Sequence, residues 1–426
     1  MKVFWLALVC CVAGTAAEPP PLTLQAARGI ALRNHPRITQ AELEALAAKQ
    51  VVTEVRAGFL PTLTFDATAV GTGNNNTRIA AGRGLSNSAI YDRDAEGLTL
   101  TQLITDFGRS QHLLNSARLR SQAQEENAQA LQMEILVQVD VAYFAALKAQ
   151  SVLAVARQTL TTRKLILDQV TALAENKLKS DLDLSFAKVT YQEGQLLVAK
   201  AETDLQAADA ALTTLLADRT EQTYWLVEEP LPATAPADPN QAIEEALAKR
   251  PDLARFRREH EAAVQFARAQ KALNYPTINV FGSGGFIPVR DEAHFIDRYA
   301  AAGINLSLPL FDGGLNSARR SEAEYRAHAA AESLRDAENT AIQNVRTASL
   351  NTHYAFERLD LTQKLFENAS QAFSLAQARY KVGSSSIVEL SQAQLAKTTA
   401  EISHTGAKYD YQIQRAILNF ASGLTP

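Results

Sequence analysis

Polar and apolar residues alternate strictly in four short segments of the chain. These segments are residues 62–69, 98–101, 277–280 and 304–308. Because successive side chains of a β-strand point to opposite faces, an alternation with a period of two predicts strands that each have one apolar and one polar face. The spacing predicts two β-hairpins, at about residues 61–105 and 276–310. Glycine-rich, polar loops at residues 71–84 and 282–290 join their strands.

Long segments without helix-breaking residues follow both hairpins. Between Gly108 and Pro230 there is a single glycine and no proline, and between Gly314 and Gly383 there is neither. Both segments are rich in Ala, Leu, Gln, Glu and Arg, which favour helix. At 1.5 Å per residue, a run of about 65 residues spans on the order of 100 Å. The predicted long helices occupy residues 109–217 and 315–423.

The two halves of the chain are related by an internal repeat. Residues 26–38 read AARGIALRNHPRI and residues 241–253 read QAIEEALAKRPDL, so that Pro36 aligns with Pro251. From residue 106 onward the offset is 206, because the first half carries nine extra residues before that point. A register that persists this far predicts that each half is the same structural unit. The predicted divisions are a first repeat over residues 18–229, a Pro- and Ala-rich linker over residues 230–239, and a second repeat over residues 240–426.

The first residues of the chain predict a secretory signal peptide, residues 1–17. A basic residue precedes an apolar run over residues 3–13 that is too short to span a bilayer as a helix. Small residues follow this run, and Thr15 and Ala17 occupy the positions expected for cleavage before Glu18.

The alternative is a lipoprotein signal in which Cys11 is acylated and kept as a membrane anchor. The residue before such a cysteine is normally Gly, Ala or Ser, and here it is Cys10. Both cysteines of the chain lie in this segment, so its removal leaves no disulfide, thiolate metal site or thiol nucleophile.

Composition excludes several classes of function. The formal net charge of -4 over 426 residues gives no basic footprint for nucleic acid. No two of the seven histidines have metal-ligand spacing on one helix face, and no nucleophile motif is present. We therefore expect no enzyme, no cofactor and no metal site. After the signal peptide no continuously apolar stretch is long enough to span a bilayer as a helix, so any membrane crossing is expected to use strands.

The amphipathic hairpins separate two classes of protein that share long helices. A soluble periplasmic coiled-coil adaptor or scaffold has the helices but does not need two hairpins of near membrane-spanning length. A barrel with a lipid-facing exterior and a wet lumen explains both patterns. Four strands cannot close a barrel, and an open edge is not tolerated in lipid. Several protomers must therefore contribute to one barrel.

Short motifs recur in the same order in both halves. They are Asn34-His35-Pro36 and Lys249-Arg250-Pro251 at the short helices, Leu60-Pro61 and Tyr275-Pro276 before strands, Leu310-Phe311-Asp312-Gly313-Gly314 before a long helix, and the turn over residues 379–390. In this order and spacing the chain resembles the TolC-like outer membrane efflux proteins over essentially its whole mature length.

The resemblance implies a mainly α fold with membrane β-strands. Each of two structural repeats would combine a long α-helical hairpin with a β-hairpin, and a homotrimer would form one twelve-stranded β-barrel continued by an α-helical barrel in the periplasm. Such a protein is the passive exit duct, in the outer-membrane lipid, of a tripartite efflux or type I secretion system. Its implied partners are a periplasmic adaptor and an inner-membrane pump, which supplies the energy.

The resemblance also implies that functional residues lie at the turns between the long helices, at the periplasmic tips. The implied adaptor-docking residues are Lys177 and Lys179 in the first turn, and Tyr380, Gly383 and Ser385 in the second. Ser385 stands where some relatives carry an arginine.

The implied pore constriction involves Glu389 and Gln392, with Asp183 as the first-repeat counterpart of Glu389. A ring of three Glu389 carboxylates in a narrow pore would favour cations and bind multivalent ones. The alternative for Asp183 and Glu389 is a solvated carboxylate at a helix start, favoured by the helix dipole.

Overall fold

The computed structural model describes most of the chain. The described residues are 21–70, 77–78, 89–90, 93–217, 224–231, 238–289 and 298–424. The signal peptide expected over residues 1–17 and the lipidation alternative at Cys11 lie outside these ranges. So do most of the loop expected over residues 71–84 and most of the linker expected over residues 230–239.

Long helices and a small number of strands make up the described residues. In chain order the elements are β1 (Pro21–Leu22), α1 (Leu24–Asn34), α2 (Pro36–Ala57), β2 (Thr62–Val70), β3 (Thr77–Arg78), β4 (Ala89–Ile90), β5 (Arg93–Thr105), α3 (Arg109–Glu175), α4 (Asp181–Leu216), β6 (Trp225–Leu226), α5 (Pro239–Lys249), α6 (Pro251–Lys271), β7 (Thr277–Val289), β8 (Arg298–Ser307), α7 (Leu315–Lys381) and α8 (Ile387–Ala421). The predicted mainly α fold class with β-strands is confirmed.

The predicted long helical segments each consist of two helices joined by a short turn. Helices α3 and α7 have 67 residues each, so each is about 100 Å long. Helices α4 and α8 return from the turns with 36 and 35 residues. The chain therefore reverses twice, once after Glu175 and once after Lys381.

The described chain folds as two compact units, and each unit takes segments from both halves of the sequence. The sheet unit comprises Gln40–Gln129 and Pro251–Asn339. The helical unit comprises Met1–Thr39, Ala130–Arg250 and Thr340–Pro426.

The sheet unit contains a four-stranded antiparallel sheet in the order β2, β5, β7, β8. Its register puts mainly polar side chains on one face, including Thr62, Thr64, Asp66, Thr99, Thr101, Asn279, Ser283, Asn305 and Ser307. The other face carries Leu63, Phe65, Leu98, Leu100, Ile278, Val280, Ile304 and Leu306. Several of these apolar side chains are more than half exposed in the single chain, as expected of a surface that lies in lipid. Strands of 9 to 13 residues are long enough to cross a bilayer when tilted.

Two aromatic rings on the polar face lie over glycines of other strands in the sheet: Phe281 of β7 lies over Gly303 of the adjacent β8, and Tyr299 of β8 reaches across β7 to Gly97 of β5. A Cβ atom placed on Gly303 would lie 2.9 Å from the Phe281 ring. A Cβ atom on Gly97 would collide with the Tyr299 hydroxyl group. The glycines therefore provide the space that the rings fill, an arrangement that fixes the register of a curved sheet.

In the helical unit, Tyr143 of α3 holds together the parallel pair of strands β1 and β6. Its hydroxyl group lies 2.9 Å from the carbonyl oxygen of Leu22 and 2.7 Å from that of Val227. It also accepts a hydrogen bond from the Val227 N–H at 3.1 Å. Tyr143 is fully buried in a core formed with α1, α4 and α8. Burial raises its pKa to about 12.

The single glycine of the first long helical segment marks close packing between α3 and α4. A Cβ atom on Gly194 would lie 3.0 Å from Cδ of Arg163 and 3.2 Å from Cδ1 of Leu160. The buried Arg163 guanidinium donates through NH1 to the Thr190 carbonyl oxygen at 2.8 Å. Glycine at position 194 thus makes room for this buried arginine.

Helix α3 is the one helix in the described ranges that is long and apolar enough, over an 18-residue window, to cross a membrane by length and composition. This stretch of α3 is apolar on average but is interrupted by polar residues, so it differs from the continuously apolar run that the sequence lacks after the signal peptide. More than half of the window is buried inside the protein, which is typical of a core helix.

Candidate functional site at the helix turns

The turn between α7 and α8 is closed by backbone hydrogen bonds around Gly383. The Gly383 N–H donates to the Tyr380 carbonyl oxygen at 3.1 Å, and the Ser384 N–H donates to that of Arg379 at 2.9 Å. This pair of bonds is the Schellman motif, which needs a left-handed residue after the helix. Gly383 supplies it, with a φ of 78°. Helix α8 then begins after Ser386, whose side chain accepts from the Glu389 N–H at 3.2 Å.

The turn between α3 and α4 has the same geometry and lies at the equivalent position of the first repeat. The Lys177 N–H donates to Ala174 O and the Leu178 N–H donates to Leu173 O, both at 2.9 Å. Lys177 takes the left-handed position that Gly383 holds in the second turn, with a φ of 59°. A side chain in this conformation costs roughly 1–2 kcal/mol relative to the right-handed region.

Asp183 forms part of a capping box at the start of α4. Its carboxylate accepts hydrogen bonds from the Ser180 N–H at 3.1 Å and from the Ser180 hydroxyl group at 2.8 Å. In return, the Ser180 hydroxyl oxygen accepts from the Asp183 N–H at 3.2 Å. The contacts of Asp183 are therefore those of a carboxylate that caps the start of a helix, which is the alternative role considered from the sequence.

Glu389 occupies the equivalent third position of α8, but it has a charged partner. Arg379 NH1 donates to Glu389 Oε1 at 2.9 Å, and Arg379 NH2 donates to the Ser384 carbonyl oxygen at 3.3 Å. Sequence reasoning missed Arg379. The two residues are ten positions apart, a spacing that no helical periodicity pairs, and only the closed turn brings them together. Gln392, one helical turn after Glu389, is exposed.

Tyr380 brings the two repeats together at the turns. The Lys179 ammonium lies 4.3 Å from the centre of the Tyr380 ring. Burial raises the pKa of the Tyr380 hydroxyl group, and the negative charge of Asp183 raises it further. The ring belongs to an apolar cluster formed by both helical hairpins, with Ile166, Val170, Ala187, Phe373, Ala376, Ile387 and Leu390. Of the residues expected at this site, Tyr380, Lys179 and Asp183 are thus close together.

The remaining docking residues expected from the sequence lie at the surface of the turns. Lys177 and Gly383 are exposed and Ser385 is half-buried. Two apolar side chains, Leu178 and Val382, are 68% and 79% exposed beside them. Exposed apolar side chains at adjacent apices are typical of a surface that a partner covers.

Acidic and histidine side chains form no group of three or more suited to a metal ion in the described part of the chain. At the turns, Asp183 instead pairs with Ser180, and Glu389 pairs with Arg379. Their arrangement is suited to closing the helix ends.

Comparison with known proteins identifies the chain's relatives. The sequence model described as "Outer membrane efflux protein" matches residues 28–218 and 242–424. Outer membrane protein TolC of Salmonella enteritidis is 23% identical over 92% of this chain and 79% of its own length. Alkaline protease secretion protein AprF of Pseudomonas aeruginosa is 26% identical over 93% of this chain and 83% of its own length. The crystal structure of a membrane protein from Pseudomonas aeruginosa superposes with a TM-score of 0.83 at 25% identity, covering 94% of this chain and 93% of that one.

One kind of protein accounts for the matched segments, the amphipathic sheet and the paired long helices. It is not an enzyme. It is a trimeric outer-membrane channel with its helical tunnel in the periplasm, and it serves, with a periplasmic adaptor and an inner-membrane pump, as the passive exit duct of an efflux or type I secretion system. The chain belongs to the outer membrane efflux protein family.

Proposed function

We propose that the two turns form the narrow periplasmic end of the duct. Asp183, Glu389 and Gln392 line the constriction. The observation that supports this proposal is the clustering of two charged side chains of the first repeat, Lys179 and Asp183, around a buried ring of the second repeat, Tyr380. A gate made of two helical hairpins needs such a contact between them, because otherwise each hairpin moves independently.

The adaptor meets the outer surface of the same turns, at Lys177, Lys179, Gly383 and Ser385, and the buried Tyr380 supports this docking surface through its contact with Lys179. Support comes from the exposed apolar side chains beside these residues, which water alone covers in the single chain. A partner that buries them gains roughly 1.5–3 kcal/mol for each side chain that becomes fully buried.

We also propose that the two sequence repeats, residues 18–229 and 240–426 with the linker 230–239 between them, are structurally equivalent halves. The two Schellman turns and the two serine N-caps, which recur at matching positions of the two repeats, support this division.

Planar bilayer recordings test the constriction. We expect Asp183→Asn to shift the reversal potential in a salt gradient toward anion selectivity, because a negative charge leaves the narrowest part of the pore. Asp360→Asn is the matched control, since Asp360 is an exposed carboxylate of α7 that is paired with Lys364 four residues later. If Asp183→Asn and Asp360→Asn both have the reversal potential of the unmodified channel, the constriction lies elsewhere.

A further inference from the structure

The second turn places a cation directly beside the carboxylate of the proposed constriction. Arg379 lies in the last turn of α7 and Glu389 in the first turn of α8. Their side chains meet across the turn, with 2.9 Å between NH1 and Oε1. The second guanidinium nitrogen donates to the Ser384 carbonyl oxygen, so the arginine is attached to the turn as well as to the carboxylate.

The backbone on both sides of this ion pair is fixed. The Arg379 carbonyl oxygen accepts from the Ser384 N–H at 2.9 Å and lies 3.1 Å from the Ser384 hydroxyl group. The Glu389 N–H is held by the Ser386 side chain. Because neither residue is on a free loop, the two side chains stay within reach of each other, and the exposed hydrogen bond can re-form after it breaks.

The electric field at a passing ion depends on the distance between the guanidinium and the carboxylate, and not on whether the two groups are hydrogen-bonded at that moment. Charges are screened over about 8 Å at physiological ionic strength. An arginine within about 3 Å of a carboxylate therefore cancels most of the field of that carboxylate at the distance of an ion in the pore. This effect does not require the ion pair to contribute to folding stability.

The first repeat lacks this arrangement. The offset of 206 places Leu173 at the position of Arg379. Asp183, the counterpart of Glu389, is held by Ser180 instead. Charge compensation by an arginine on the preceding helix is therefore a property of the second turn.

We propose that Arg379 is a selectivity-determining residue of the duct: its guanidinium neutralises the Glu389 ring, so that this ring contributes little cation preference to the constriction. This inference rests on the proposed function, in which Glu389 lines the narrow end. It replaces the expectation of a cation-selective Glu389 ring, which considered the carboxylate without its partner.

Reversal potentials of the trimer in planar bilayers test the proposal. We expect Arg379→Gln to raise the ratio of cation to anion permeability at least about threefold, because three carboxylates lose their counter-charge. Glu389→Gln changes the ratio in the opposite direction, and the double variant returns close to the unmodified channel. Arg379→Lys keeps the charge but not the forked hydrogen bonds, so it is expected to behave like the unmodified channel.

The control is Arg326→Gln, because Arg326 of α7 is also paired with a glutamate, Glu322, but lies far along the helix from the turn. Block by La³⁺ in phosphate-free buffer is a second readout. We expect Arg379→Gln to be blocked at a concentration at least about tenfold lower than the unmodified channel.

The outcomes separate the two proposals. If Glu389→Gln changes the selectivity but Arg379→Gln does not, the constriction is correct and the role of Arg379 is wrong. If neither variant differs from Arg326→Gln, both are wrong. If Arg379→Lys behaves like Arg379→Gln, the shape of the turn and not its charge controls the ion flow, which also overturns the role of Arg379. If no Arg379 variant assembles, strong La³⁺ block of the Asp183→Asn channel, in which Glu389 is the remaining carboxylate of the proposed constriction, contradicts the proposal by itself.

Discussion

At the scale of single residues, the two turns share one backbone conformation but have different residues at its left-handed position. Both need a left-handed residue directly after a long helix, and Gly383 meets this need without strain. Lys177 adopts the same conformation at a cost. We infer that a side chain is kept at position 177 for its exposed ammonium group, which belongs to the proposed docking surface.

Exchanging the residue types at these two positions should have opposite effects on stability. Gly383→Ala is expected to destabilise the turn by about 1 kcal/mol, since a Cβ atom there meets nothing within 4 Å and only the backbone conformation is strained. Lys177→Gly relieves the equivalent strain and is expected to be neutral or slightly stabilising. The measurement is the temperature at which the detergent-solubilised trimer dissociates. A lower temperature for Lys177→Gly than for Gly383→Ala would contradict this account.

At the scale of elements, the sequence predicts those strands and helices that have a repeating local pattern of residues. The alternating strands and the breaker-free helices follow from periods of two and from composition, and both are present. The parallel pair of β1 and β6 was not predicted, because two very short strands in distant parts of the chain leave no local pattern. The contact of Arg379 with Glu389 was missed for a related reason: it depends on the direction in which a closed turn points a long side chain.

The β1–β6 pair is expected to be sensitive to alkaline pH through Tyr143. Its pKa is about 12 in the folded protein, above the ordinary value of 10. A group whose pKa is raised by folding contributes stability that is complete below pH 10 and is lost as the pH rises toward 12. We therefore expect the melting temperature to fall over this range. Tyr409, whose pKa burial also raises to about 12, adds to the same decline.

The variant Tyr143→Phe separates the contribution of Tyr143. It removes the hydroxyl group that bridges Leu22 and Val227 and is expected to cost about 1–3 kcal/mol at neutral pH, since buried backbone groups lose a partner. Its melting temperature should then fall less steeply between pH 10 and 12 than that of the unmodified protein. Equal slopes in the two proteins would show that Tyr143 stays protonated or is not the group that responds.

At the scale of the whole molecule, the trimer explains apolar side chains that the single chain leaves exposed. On α7, Tyr354, Leu361 and Leu375 are each at least 59% exposed, and they are separated by multiples of seven residues. On α4, Leu182, Val189 and Leu196 are spaced seven apart and are also exposed. A heptad spacing brings such residues onto one seam of a helix, which is typical of helix-to-helix contact. A water-filled tunnel would not favour apolar side chains, so we infer that neighbouring protomers cover these seams.

Charged substitutions on and off the seam distinguish a protomer contact from a surface that water covers. Leu375→Glu is expected to lower the dissociation temperature of the trimer on unboiled gels, because it buries a carboxylate without a partner in the contact between protomers. Ser374→Glu introduces the same charge at the neighbouring exposed position, off the seam, and is expected to leave the trimer as stable as before. Because the shared barrel also holds the protomers together, we expect a weakened trimer and not free monomers. Equal behaviour of the two variants would mean that this stretch of α7 faces water in the assembled duct, and the seam would then have to lie on another face of the helix.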